Sequence, residues 1–193
     1  MARLYFLTMD DAPMGPVQQV EAACRAGIRW IQLRMKLASD EEVLDAALAA
    51  RDICSEWGCK LIVNDRVGVA LEADVDGVHL GKQDMPVSEA RRLLGKEKMI
   101  GGTANTIEDI REHWKHGADY IGLGPYRFTT TKKNLSPILG LEGYRRIMGQ
   151  VKAEGIGLPV VAIGGIRMED AAALYGAGVQ GIAFSGMLIK MIC

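Results

Sequence analysis

The chain has 193 residues, 49% of them hydrophobic, with 23 basic and 24 acidic side chains and a formal net charge of -1. Such balance argues against a nucleic-acid coat or a polybasic membrane surface, and no apolar stretch approaches the roughly 20 residues that a membrane-crossing helix needs. The length suits one sizeable domain with a full core. The sequence starts straight into a strand-like run, without a charged segment and apolar leader, so a cytoplasmic protein is expected, with neither nucleic acid nor membrane as partner. Cys24, Cys54, Cys59 and Cys193 form no CxxC and no His-linked zinc spacing, which reads as scattered reduced thiols.

Taken in chain order, the first strand is expected at 4–9 and a helix at 16–26. A strand at 30–34 precedes a long helix at 40–57, opened by Ser39 with Glu42 three residues on, a capping-box pattern. Strands at 60–64, 77–80 and 99–102 then alternate with helices at 67–73, 88–94 and 106–115. After a strand at 120–124, the stretch 126–138 shows neither period, and loops of that length are usually functional or disordered. A helix at 141–154, a strand at 160–164, a helix at 168–175 and a strand at 181–184 follow, leaving 187–193 for about two helical turns. Most strand runs are continuously apolar, the mark of strands covered on both faces. Ala26-Gly27, Gly117-Ala118 and Gly176-Ala177-Gly178 each close a helix before the next strand, as if one unit were reused. About eight such units predict an α/β, single-domain (β/α)8 TIM barrel over residues 1–193 with a shortened C-terminal helix. The rival is an open doubly wound sheet, which a GxGxxG after the first strand would favour; none is present.

In a parallel α/β barrel, ligands bind at the carboxyl ends of the strands. Thr129-Thr130-Thr131-Lys132-Lys133 follows the run Tyr120-Ile121-Gly122-Leu123-Gly124-Pro125, and hydroxyls mixed with ammoniums suit an anion such as phosphate. Asp65 and Asp84 end adjacent strands, where two carboxylates with phosphate oxygens and water form a natural Mg2+ site. Taken singly, Asp65 could instead cap the helix at 67 and Asp84 could be a turn residue before Pro86. Gln32, Arg34 and Lys36 share one face by strand alternation, predicting a polar ladder from core to rim in which a diphosphate would partner the two cations. A structural salt bridge is the alternative. Gly164-Gly165 and Ser185-Gly186 close the seventh and eighth strands, where barrels often bind phosphate through bare amides. His79 reads as a satisfied core histidine, and His113 and His116 as solvated. No Ser-His-Asp or Cys-His arrangement is evident.

The segments 32–36, 64–66, 76–86, 101–103, 124–132 and 163–166 occur in an order that closely resembles the thiamine-phosphate synthase family, over nearly the whole chain. The resemblance implies coupling of 4-amino-5-hydroxymethyl-2-methylpyrimidine diphosphate with a thiazole phosphate, giving thiamine phosphate and pyrophosphate. It implies Mg2+ on Asp65 and Asp84; the pyrimidine diphosphate on Gln32, Leu33, Arg34, Met35, Lys36, Asn64, Thr103 and Lys132; and the thiazole phosphate on Thr129, Thr130, Thr131, Gly165, Ser185 and Gly186. Arg34, Lys36 and Lys132 would be the catalytic cations, and a homodimer is expected from the likeness alone. The family route is thought to pass through a pyrimidine-methyl cation that the thiazole nitrogen captures, so no strong general base is required. The chain departs from the family pattern at Met35, where many members carry an acid, and at Thr103, where serine is usual. Phe184 before Ser185 is bulkier than the usual neighbour, and the short C-terminus bears on the last helix and on dimer packing. Two alternatives are a thiazole tautomerase, which would not need the aspartate pair or the cations, and a non-catalytic thiamine-phosphate-binding regulator.

Overall fold

A computed structural model of the protein describes residues 4–128 and 136–186. Its eight strands are β1 (Leu4–Leu7), β2 (Trp30–Leu33), β3 (Lys60–Asn64), β4 (Gly77–Leu80), β5 (Met99–Ala104), β6 (Tyr120–Leu123), β7 (Val160–Ala162) and β8 (Gly181–Phe184). They pair in parallel in sequence order, and β8 returns to β1 with Leu4 opposite Ile182, closing a barrel. The helices are α1 (Pro16–Arg25), α2 (Asp40–Trp57), α3 (Val67–Glu72), α4 (Val87–Leu94), α5 (Ile107–Lys115), α6 (Gly140–Ala153) and α7 (Ala171–Gly176). None of the described helices is long and apolar enough to cross a membrane.

Local chemistry sets the boundaries. At the start of α2 the Ser39 hydroxyl accepts from Glu42 N at 3.2 Å, and the Glu42 carboxylate accepts from Ser39 N at 2.7 Å. The same helix stops at Gly58, whose φ of 63° lies in the left-handed region that glycine adopts without penalty. Outward-facing side chains such as Ile31, Leu33, Leu61, Val63 and Val78 pack under α1 to α4. Inward-facing Tyr5, Trp30, Ile62, Tyr120 and Val161 fill the bore, so the barrel is a packed cylinder and not a pore.

Several boundaries differ from expectation. β1 stops at Leu7 and β2 at Leu33, because Thr8 Oγ1 accepts from Arg34 N at 2.8 Å and donates to Arg34 O at 3.0 Å, replacing the sheet ladder by a side-chain clamp. The expected helix at 168–175 divides into a 3-10 turn, Met168–Asp170, and the short α7. The expected short C-terminal helix falls within 187–193, outside the described residues.

Candidate active site

The carboxyl ends of the strands converge on one mouth, and the two aspartates meet there. Asp65 follows β3 with a φ of 65°, uncommon for a residue with a side chain. It does not cap α3, whose N-cap is Arg66. Asp84 Oδ2 accepts from Gly81 N at 2.6 Å, so the turn reading of Asp84 holds. Burial, and then contact with the Asp65 carboxylate, push the Asp84 carboxyl above the usual carboxylate range; the Gly81 amide and the Lys36 ammonium pull it back only in part. Two carboxylates held together against their repulsion, with only oxygen donors, fit a hard divalent cation. No cluster of three or more metal-ligating side chains occurs among the described residues, so such an ion would take its remaining ligands from water or a bound substrate.

Cations surround the pair. Lys36 Nζ bonds Asp65 Oδ2 directly. Arg34 lies against Asp10 at 3.4 Å, and Asp10 also accepts from Lys36 N at 3.3 Å. The expected ladder therefore changes form: Gln32 is the last inward residue of β2, buried at 2% exposure, while Arg34 and Lys36 stand beyond the strand on acids that follow β1 and β3. The salt-bridge alternative thus describes both cations in the absence of ligand. Leu33 is fully buried in the outer shell, and Met35 packs against the same shell. Contact of either residue with a ligand would run through its backbone.

Asn64 ends β3 at 7% exposure, and its amide nitrogen has no hydrogen-bond partner among the described residues. A buried, unpaired amide donor is costly unless something else satisfies it. Thr103, on β5, bonds His79 Nε2 through its hydroxyl at 3.0 Å and His113 Nε2 through its carbonyl at 2.9 Å. His79 is the satisfied core histidine expected. His113 is not a solvated group: it packs flush on Gly102, where an added Cβ would lie 2.6 Å from its ring.

Thr129, Thr130, Thr131 and Lys132 lie outside the described residues, but both ends of their segment are tied. Tyr126 N donates to Ile163 O at 3.0 Å and Arg127 N to Gly164 O at 2.9 Å. The Arg127 guanidinium forms a two-pronged pair with buried Asp170, one prong at 2.6 Å. On the far side, Ser136 Oγ donates to Asn105 Oδ1 at 2.9 Å, and the Asn105 amide donates to Gly124 O. Gly165 (φ 67°) lies against Arg127 and Phe128; a Cβ there would stand 2.8 Å from Phe128 O. Ser185 and Gly186 follow β8, and a Cβ added at Gly186 would meet the Met9 thioether at ordinary contact distance.

Sequence reasoning missed Asp10, Asn105, and the Arg127–Asp170 pair. Asp10 and Asp170 lie in loops beyond β1 and β7, and the pairing of neighbouring strands, β1 with β2 and β6 with β7, brings Asp10 to Arg34 and Asp170 to Arg127.

The family model described as thiamine monophosphate synthase matches residues 4–188. A thiamine-phosphate synthase of Bacteroides fragilis is 52% identical over 190 residues, 98% of this chain and 93% of the relative. One of Flavobacterium johnsoniae is 44% identical over 188 residues, 97% of this chain and 89% of the relative. The solved thiamine phosphate pyrophosphorylase of Pyrococcus furiosus superposes with a TM-score of 0.83 at 31% identity, covering 99% of this chain and 96% of its own. With sequence, barrel and mouth in agreement, the chain belongs to the thiamine monophosphate synthase family.

Proposed function

We propose that this transferase joins 4-amino-5-hydroxymethyl-2-methylpyrimidine diphosphate to a thiazole phosphate at this mouth, with Mg2+ held by Asp65 and Asp84. The observation that carries the reading is the meeting of those two carboxylates beside Lys36 and the unpaired Asn64 amide. The bound ion would neutralise charge building on the departing diphosphate. Lys36 and Arg34 would exchange their acid partners for diphosphate oxygens, and Asn64 would donate its unused N–H to the same ligand. Lys132 would add a third cation, and Thr129, Thr130, Thr131, Gly165, Ser185 and Gly186 would hold the thiazole phosphate. The carbon–oxygen bond to the diphosphate breaks with its electron pair leaving on oxygen. The thiazole nitrogen lone pair then forms the new carbon–nitrogen bond, and no proton changes place. Catalysis is thus electrostatic and positional, in keeping with a mouth built of cations, acids and amides. A cytoplasmic homodimer completes the reading, the dimer resting on the family likeness alone.

The deciding assay mixes both substrates with the protein and follows pyrophosphate release with and without Mg2+. Metal-dependent release is the expected result, with Asp65→Asn and Lys132→Ala each losing about 100-fold or more in kcat. Near-normal turnover by both variants would overturn the assignment. Isomerisation of a thiazole phosphate without metal would point to the tautomerase instead, and ligand binding without conversion to the regulator.

A further inference from the structure

A chain of hydrogen bonds crosses the bore beneath the mouth. Gln32 Nε2 donates to Tyr5 Oη at 2.8 Å. Tyr5 Oη lies 2.9 Å from Tyr120 Oη, which lies 3.1 Å from His79 Nδ1. His79 Nε2 lies 3.0 Å from Thr103 Oγ1. The two ends, Gln32 on β2 and Thr103 on β5, stand three strands apart around the barrel, and both belong to the pyrimidine-binding set that the family resemblance implies. The middle members are buried, with Tyr5 at 3%, Tyr120 at 1% and His79 at 8% exposure.

Space has been cleared for this chain. A Cβ on Gly101 would fall 2.1 Å from Tyr120 Cζ and 2.5 Å from His79 Nδ1, and one on Gly122 would fall 2.9 Å from His79 Cε1. Burial pushes both tyrosine hydroxyls far above their ordinary range, so each keeps its single proton.

A phenol has one proton to donate, which gives the chain a direction. Tyr5 accepts from Gln32, and the arrangement that leaves no buried proton idle has it donate to Tyr120. Tyr120 then donates to His79 Nδ1. In that arrangement His79 carries its proton on Nε2 and donates to Thr103. The Thr103 oxygen, already accepting, has its own proton to offer elsewhere. At the other end, the Gln32 amide turns its nitrogen to Tyr5 and keeps its carbonyl oxygen as an acceptor.

We propose that Tyr5, Tyr120 and His79 are positioning residues that fix Gln32 as an acceptor and Thr103 as a donor, a matched pair for the exocyclic amine and a ring nitrogen of an aminopyrimidine. The inference rests on the functional reading above for the identity of the ring. It adds the buried groups that set the polarity with which the ring is read.

The test uses the full chain labelled with 15N-histidine, with His79 assigned by its disappearance in His79→Gln. A neutral ring protonated on Nε2 and bare on Nδ1 is expected; the opposite tautomer, or an imidazolium at pH 7.5, overturns the proposal. Steady-state kinetics supply the second arm. Tyr120→Phe keeps the ring but cuts the chain, and should raise KM for the pyrimidine diphosphate about 3- to 10-fold, as expected for one polar interaction. KM for the thiazole phosphate should not move. Thr103→Val should raise the same KM, Thr103→Ser should restore it, and Tyr120→Phe should add nothing on a Thr103→Val background. An unchanged pyrimidine KM in Tyr120→Phe, or equal rises for both substrates, overturns the inference. Should Tyr120→Phe not fold, the tautomer and the Thr103→Val and Thr103→Ser pair decide it. Failure of the wild-type chain to release pyrophosphate would instead strike the functional reading, while the tautomer measurement would still judge the direction of the chain.

Discussion

Asp84 exists under tension that a bound cation would relieve. Its carboxyl is pushed up by burial and by the Asp65 carboxylate, so ionisation disfavours the folded state. The sign follows from linkage: below the unfolded value both states hold the proton and the cost is absent. The cost appears as pH rises through the unfolded value and is complete above the raised folded one. Asp84→Asn should therefore melt at an equal or higher temperature than wild type at pH 7 without metal. The same variant should lose the further rise that Mg2+ with inorganic pyrophosphate gives the wild type. Scanning calorimetry of the two proteins with and without those ligands checks both halves. Asn64 offers a second residue-scale prediction. Asn64→Leu removes an amide donor that has no partner among the described residues. Its cost in stability should stay under about 1 kcal/mol, while affinity for the pyrimidine diphosphate falls about tenfold, the weight of one hydrogen bond to a charged ligand.

At the scale of elements, the described residues on either side of 129–135 carry two ties. One is the Arg127–Asp170 pair, and the other is Ser136 on Asn105. The Arg127 guanidinium, first, and the Arg167 amide hold the Asp170 carboxyl below the usual range. The stability this gives is present above the unfolded value and disappears as pH falls through the lowered folded value. Asp170→Asn should cost about 1–2 kcal/mol at pH 7, a figure kept modest because the Arg127 side chain is 38% exposed, and the difference from wild type should close in acid. Urea unfolding at several pH values measures it. Gly165→Ala should be harsher on function than on fold. It forces a side chain to φ 67° and into the Phe128 carbonyl, displacing the start of the segment that carries Thr129 to Lys132. The alternation of elements was legible because the strands are continuous apolar runs closed by glycine or small residues. Asp65 and Asp84 could be paired from sequence because β3 and β4 are neighbours in both chain and barrel. Tyr5 and Tyr120 are 115 residues apart on strands that are not neighbours, and no local period announces such partners; Arg127 and Asp170 follow neighbouring strands but lie past the strand ends, where no periodicity sets side-chain direction. The ends of β1 and β2 were misplaced for a related reason: the Thr8 clamp on Arg34 is a side-chain contact that apolar patterning does not register.

At the scale of the whole molecule, the bore has no slack. Gly101→Ala would drive a methyl into the Tyr120 ring and the His79 imidazole, at the level where the whole barrel packs. A loss of about 3 kcal/mol or more is expected, at the upper end of overpacking costs, and a lowered denaturant midpoint would show it. A wild-type midpoint would mean the bore can yield. The layer of Tyr5, Trp30 and Tyr120 that makes this so also determines traffic. With that aromatic stopper across the cylinder there is no back exit, and everything that enters must depart through the door it came in by. The molecule drawn deepest is boxed in by whichever arrives after it, and two products queue for one threshold. Turnover should accordingly follow a compulsory order of arrival and departure, which product-inhibition patterns would show.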